Sequence, residues 1–207
     1  GAPLDGSFGD WGRAVKSDEA ADIRRVADAR CGSGAPLAYL IGLARFAGLE
    51  FEVTPDVLLP RSPIAELILD GFRPWRDFSP LPGRLPRVLD MCTGCGCIAI
   101  ATAHYLPQVQ VDAVDISRAA LTVATRNVQR HGLADRVRPI RSNLFQSLPA
   151  RRYDLILANP PYLPQGELPE LPPEYRSEPG LGLASGADGL DAVLQILAHA
   201  PDFLVED

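Results

Sequence analysis

Asn159-Pro160-Pro161-Tyr162 is the stretch of this sequence best equipped for chemistry on a planar nitrogen. Its two prolines fix the backbone and carry no N–H, which leaves carbonyl oxygens available to accept. The Asn159 side-chain oxygen and the Pro160 carbonyl can then hold both hydrogens of one NH2 group, and Tyr162 offers a flat face for a planar substrate. Such a grip suits methyl transfer. An amide nitrogen is a poor nucleophile because its lone pair is delocalised into the carbonyl. Hydrogen bonds accepted from the NH2 return density to nitrogen and aim it at an electrophilic methyl, a gain of orientation and electrostatics. No strong general base stands out, and none is needed if the proton leaves after transfer. The loop alone leaves a glutamine-type amide and the amino group of adenine equally open.

A second constellation is Asp90-Met91-Cys92-Thr93-Gly94-Cys95-Gly96. Gly94-x-Gly96-x-x-Ala99 fits the glycine turn that lets a nucleotide cofactor approach the backbone, although a tight strand-to-helix turn needs glycine too. Asp90, just before the turn, is expected to repel a pyrophosphate and to welcome a cationic methionine moiety. Asp115, ending Ala113-Val114-Asp115 ahead of Ile116, is expected to accept the ribose hydroxyls; the plainer alternative is that it helps to start a helix capped by Ser117. In Ser142-Asn143-Leu144-Phe145 a polar side chain followed by apolar ones suits the edge and face of adenine.

Three of the four cysteines (Cys92, Cys95 and Cys97, with Cys31 apart) crowd this turn. Their spacing resembles half of a zinc site, but a fourth ligand would be distant, and small buried side chains at a tight turn account for them equally well. No metal is expected. The formal net charge of −6 argues against broad binding to a phosphate backbone and is compatible with a basic protein as substrate. No run is long and apolar enough to span a membrane, and the N-terminus has no basic-then-apolar signal, so a cytoplasmic protein without membrane contact is expected.

These residues require particular elements to position them. Residues 1–45 read as an N-terminal, partly helical segment, with a helix over Ser17–Arg30 capped by Ser17 and ended by Gly32 and Gly34. Residues 46–86 read as a hairpin, a helix and a proline-rich linker. The hairpin is expected from Leu49, Phe51 and Val53, turning at Thr54-Pro55-Asp56 into Val57-Leu58-Leu59. The helix begins at Pro63, and Arg73–Pro86 holds four prolines. From residue 87 strands and helices alternate to the end at 207, with strands at 88–91, 109–114, 137–140 and 153–158. That alternation predicts an α/β fold, a parallel Rossmann-like sheet with both reactive loops at its carboxyl edge. The final Phe203-Leu204-Val205-Glu206-Asp207 reads as the lead-in to another strand, so C-terminal strands are expected to be missing from the sequence.

Together these motifs resemble the HemK-like protein-glutamine N-methyltransferases. Within that family the resemblance is to the branch that methylates a glutamine on the third protein of the large ribosomal subunit. It extends from about Arg30 to Asp207 and includes Phe46-Ala47-Gly48-Leu49-Glu50-Phe51, Val57-Leu58-Leu59-Pro60-Arg61-Ser62-Pro63-Ile64, Glu174-Tyr175-Arg176-Ser177-Glu178-Pro179 and Leu183-Ala184-Ser185-Gly186. The release-factor branch usually follows Pro-Arg with Pro-Asp-Thr, not Ser-Pro-Ile. The resemblance implies a class I S-adenosylmethionine-dependent fold, S-adenosyl-L-methionine as cofactor, S-adenosyl-L-homocysteine as product and a large-subunit ribosomal protein as substrate. It implies no direct sequence-specific nucleic-acid binding. It assigns the cofactor to Asp90, Cys92, Thr93, Gly94, Cys95, Gly96, Asp115, Ile116, Asn143, Leu144 and Asn159, and the methyl transfer to Asn159, Pro160, Pro161 and Tyr162. Cys92 stands where many relatives have glycine, and Asn143 where many have aspartate. Release-factor glutamine and, more remotely, adenine N6 are the alternative substrates.

Overall fold

The computed structural model describes residues 14–76, 78, 84–172 and 174–206. Helix α1 (Ser17–Ser33) is capped by Lys16, whose backbone N–H donates to Glu19 Oε2 at 3.0 Å, and ends on Gly34 in the left-handed region. Ser17 therefore lies inside the helix and is not its cap. No α1 residue is buried, so Ile23, Val26 and Ala27 share a face that meets no core. A short helix, α2 (Leu37–Ile41), follows Pro36.

The hairpin lies earlier than the sequence suggests. Strands β1 (Leu43–Phe46) and β2 (Leu49–Glu52) pair antiparallel around Ala47 and Gly48, both with positive φ (47° and 77°). Two consecutive left-handed residues give the turn whose twist matches the strands. Alanine pays a steric cost there that glycine does not, and so gives no turn signal. Thr54-Pro55-Asp56 is a turn as expected, but residues 57–59 leave it as a loop. Phe51 is fully buried in the main core. Asn127, fully buried on the helix below, fixes the hairpin: it accepts from Glu52 N (2.7 Å) and donates to Glu52 O and Cys95 O (both 2.9 Å).

Helix α3 (Ile64–Leu69) starts after Pro63. The sheet then contains β3 (Arg87–Met91), β4 (Gln110–Asp115), β5 (Val137–Arg141) and β6 (Leu155–Ala158), all parallel in the order β5-β4-β3-β6. The crossovers carry α4 (Cys97–Tyr105) and α5 (Arg118–Arg130); α6 (Asp191–Phe203) follows β6. Residues 97–103 of α4 are all buried, as befits a helix apolar all round. Ser117 caps α5 as expected, its hydroxyl accepting from Ala120 N at 3.2 Å. Neighbouring strand residues face opposite cores: Val88, Val111, Ala113 and Val137 pack with α4, α5 and the hairpin, while Leu89, Met91, Val114 and Tyr153 pack with Phe145 and Ile196. This is the expected Rossmann-like α/β architecture, a parallel sheet with a core on each face. At the outer side of β6, Tyr153 N donates to Phe203 O (2.7 Å) and Val205 N to Tyr153 O (3.0 Å), so Leu204 enters the sheet in parallel beside Tyr153.

The proline-rich connection is pinned at both ends. Asp154, its side chain almost fully buried, accepts from Arg76 Nη2 (2.9 Å), both terminal nitrogens of Arg84 (2.7 and 2.6 Å) and Arg87 N (2.8 Å). Burial alone would raise this carboxyl; the Arg84, Arg87 and Arg76 donors outweigh it and hold it at about 2. A depressed folded-state value gives stability that is present above the ordinary carboxylate range and lost as pH falls from about 4 towards 2. Asp154→Ala is expected to cost about 3 kcal/mol at neutral pH, because it strands these donors. The variant should also lose the wild type's extra acid sensitivity in that window. Urea unfolding across pH checks both; an unchanged midpoint at pH 7 contradicts the pinning role.

Candidate functional site

A cavity of about 310 Å³ opens at the carboxyl ends of β3, β4 and β6, where open α/β sheets bind their ligands. One wall is the turn after β3. Cys92, Gly94 and Gly96 adopt positive φ (60°, 56° and 85°), and Thr93 N donates to Val114 O at 2.9 Å. Cys92 thus holds a conformation that favours glycine. Its thiol is pushed up to about 12 by burial and by the nearby Asp115 and Asp90 carboxyls, so it is neutral. A Cβ on Gly94 would meet nothing within 4 Å, whereas one on Gly96 would lie 3.3 Å from both Ala124 Cβ and Ile100 Cδ1. Gly94 leaves backbone open to the cavity; Gly96 allows α4 and α5 to pack closely.

Of the residues assigned to the cofactor, Cys92, Thr93, Gly94, Cys95, Asp115, Ile116, Asn143, Leu144 and Asn159 line this cavity. Asp90 and Gly96 do not. Asp90 is fully buried beneath the turn, where its Oδ2 accepts from the Thr93 hydroxyl and from Ala99 N (3.1 Å); Oδ1 has no partner. Burial pushes this carboxyl up to about 7 against the lowering effect of both donors. Asp90 therefore braces the loop from below, not facing a ligand as the sequence suggested.

Asp115, at the end of β4, lines the cavity and bridges two elements. Its Oδ2 accepts from Gly94 N and its Oδ1 from Ser117 N, each at 2.9 Å. Burial raises its carboxyl, while the Ser117 and Gly94 donors oppose that. Each oxygen retains acceptor capacity after one such bond, so bracing the start of α5 and facing a ligand are compatible. Past β5, Leu144 has φ 46° and Phe145 stacks on Phe203 at 4.6 Å, outside the cavity lining. Among the described residues no cluster of three or more His, Cys, Asp or Glu could hold a metal ion.

From the reactive loop, Asn159 and Pro161 line the same cavity; Pro160 and Tyr162 do not, and Tyr162 is 60% exposed. The loop is held from behind by the segment before α6. Tyr162 N and Leu163 N both donate to Leu183 O (3.1 and 2.9 Å), Ser185 N to Leu163 O (2.9 Å) and Gln165 N to Gly186 O (2.9 Å). Gly189, at φ 83°, lies so close that an added Cβ would be 2.3 Å from Tyr162 O. Backbone cannot yield as a flexible side chain does. Gly189→Ala is expected to shift the loop and cut turnover roughly tenfold to a hundredfold, with cofactor affinity nearly unchanged. Steady-state kinetics alongside cofactor titration distinguish this from global damage, in which both would fall.

The remaining wall joins segments far apart in the sequence. It comes from Leu59, Arg61 and Ser62 on one side and from Gly182, Ser185, Asp191 and Gln195 on the other. Arg61 pairs with Glu178: Nη1 reaches Oε1 at 2.6 Å, Nη2 reaches Oε2 at 3.0 Å, and Leu59 N adds a bond to Oε2 at 3.2 Å. The Arg61 guanidinium also stacks 4.8 Å above the Tyr175 ring. Two of the stretches that carry the family resemblance thus clasp each other through Arg61, which lines the cavity.

Among the described residues no helix is long and apolar enough to cross a membrane. A family model described as methyltransferase small domain matches residues 79–169. The chain is 50% identical over 194 residues to the ribosomal protein uL3 glutamine methyltransferase of Bordetella pertussis, covering 93% of this chain and 64% of that protein. It is 52% identical over 196 residues to the protein of the same name from Xanthomonas campestris, covering 94% of this chain and 60% of that protein. The chain therefore spans less than two thirds of these relatives' length. Among solved structures it resembles the hMettl16 catalytic domain, crystallised with MAT2A 3'UTR hairpin 6, at a TM-score of 0.56 and 18% identity. That match covers 90% of this chain and 64% of that one, and it speaks to the fold alone. Residues 79–169 thus resemble the methyltransferase small domain, the fold resembles that of a methyltransferase catalytic domain, and in sequence the chain is about half identical to two proteins named ribosomal protein uL3 glutamine methyltransferase.

Proposed function

We propose that this protein transfers a methyl group from S-adenosyl-L-methionine to the side-chain amide nitrogen of a glutamine in ribosomal protein uL3, in the cytoplasm, releasing S-adenosyl-L-homocysteine. One observation carries the reading: Asn159 and Pro161 share a single cavity with Gly94 and Asp115, in a chain half identical to enzymes named for that reaction. The cavity's volume is at the lower end for small-molecule sites, which start at roughly 300 Å³. The bare backbone at Gly94 and the spare acceptor capacity of Asp115 fit a nucleoside cofactor.

When bound, the cofactor supplies a sulfonium methyl as electrophile. The protein's part is placement. Asp115 would hold the cofactor's ribose hydroxyls, and Asn143 and Leu144 would hold its adenine. Asn159 Oδ1 and the Pro160 carbonyl accept the two amide hydrogens, turning the nitrogen lone pair towards the methyl. The Tyr162 ring lies along the glutamine amide. The proton leaves the nitrogen after transfer, to water.

Purified protein, labelled S-adenosyl-L-methionine and unmethylated uL3, release factor or duplex DNA in parallel test the assignment. Label in uL3 is expected; label in release factor or DNA alone defeats it. Asp115→Ala should weaken cofactor binding by about tenfold or more, the loss of a charge-assisted pair of hydrogen bonds. Calorimetric titration that finds the affinity unchanged would leave Asp115 only its role at the start of α5.

A further inference from the structure

The parallel sheet has a second cavity, of about 220 Å³, at the opposite edge, where the strands begin. Arg87 opens β3, Arg136 and Arg138 flank the start of β5, and Arg151 precedes β6; Asp112 and Asp135 complete the charged lining. Four arginines face two aspartates, an excess of two positive charges in a chain whose formal net charge is −6. None of these residues lines the methyl-transfer cavity.

The internal partners do not use up the donors. Asp112 accepts from Arg138 Nε (3.1 Å), Arg138 Nη2 (3.4 Å) and the Tyr153 hydroxyl (2.8 Å), with Arg151 Nη1 at 3.5 Å. These contacts engage only one edge of the Arg138 guanidinium and one terminal nitrogen of Arg151. Arg136 is anchored through Nη1 alone, to the carbonyls of Ala103 and Pro107. Arg87 Nε is buried with no acceptor at all, an arrangement that is costly unless something supplies an oxygen. A cluster of planar forks with unspent donors matches a tetrahedral oxyanion, which presents several acceptor oxygens at once. The volume lies below that of ordinary small-molecule sites, and so suits one such group, not a whole nucleotide.

We propose that this cavity binds a phosphate group, independently of methyl transfer. The group is either inorganic phosphate or the terminal phosphate of a polynucleotide. The test is calorimetric titration with sodium phosphate at constant ionic strength, balanced with chloride. One short oligoribonucleotide, with and without a 5′-phosphate, forms the second arm. Saturable binding of phosphate, or of the 5′-phosphorylated oligonucleotide in preference to its 5′-hydroxyl twin, is expected. Arg138→Gln and Arg87→Gln should each weaken it roughly tenfold or more. Arg138 is half exposed, so its variant remains informative if Arg87→Gln fails to fold. No saturable binding beyond the chloride control, or binding that Arg138→Gln leaves unchanged, overturns the proposal. Methyl transfer by Arg138→Gln should match wild type.

Discussion

Asn159→Ala is expected to lose between a hundredfold and a thousandfold in kcat while still binding cofactor. The side chain contributes half of the proposed grip on the substrate NH2, and its hydrogen bond matters most as the nitrogen lone pair becomes available. Removing one such preorganised partner typically costs about 3 kcal/mol of transition-state stabilisation. The rest of the cofactor wall (Gly94, Asp115, Asn143 and Leu144) lies on other loops and is left intact. Pre-steady-state methyl transfer and cofactor titration should therefore separate cleanly, with the rate falling and the dissociation constant nearly constant. Near-normal turnover would defeat the amide-grip mechanism, and a parallel collapse of cofactor binding would turn Asn159 into a cofactor ligand first.

The second large effect concerns Asp90 and stability, not rate. With its carboxyl held at about 7 by burial, the folded protein keeps a proton that the unfolded chain releases near pH 4. The contribution is then fully present below about pH 4 and is lost as pH rises through about 7. Three pKa units correspond to on the order of 4 kcal/mol. Asp90→Asn mimics the protonated form: its oxygen can still accept from Thr93 and Ala99, and its NH2 takes the place of Oδ1, which has no partner. The difference in melting temperature between variant and wild type should thus be small at pH 4–5 and grow in the variant's favour towards pH 8. This slope is opposite in sign to that of Asp154, and the two occupy different windows. A variant–wild-type difference that stays flat with pH contradicts the protonated reading.

Where local chemistry decides an element, the sequence was legible. Ser117 before an apolar-periodic run marks a helix start and caps α5; alternation of short apolar runs with helices implies a parallel sheet. The hairpin was shifted because Ala47 occupies a turn position that usually belongs to glycine or asparagine, while Thr54-Pro55-Asp56 advertised a turn that joins no strand pair. Asp90 was assigned to the ligand because its position in the turn is visible in sequence and its direction is not. The clasp of Arg61 with Glu178, the Asn127 bridge and the Asp154 hub join residues 32 to 117 positions apart, and no local window contains both partners. The closeness of Gly189 to Tyr162 belongs to tertiary packing.

The Arg61–Glu178 clasp also sets an order of events. Residues 91 to 144 supply the wall around Gly94 and Asp115 from adjoining crossovers, so that half of the cavity can form once β3, β4 and β5 have met. The opposite wall waits for Glu178 and α6, and it closes a loop of more than a hundred residues, at an entropic cost that grows with the logarithm of its length. On a ribosome, where chains emerge from the N-terminus onwards, the loop at 159–162 appears before the segment that holds it. A nascent chain would thus pass through a stage that has the wall around Gly94 and Asp115 and no clamp on the loop of Asn159.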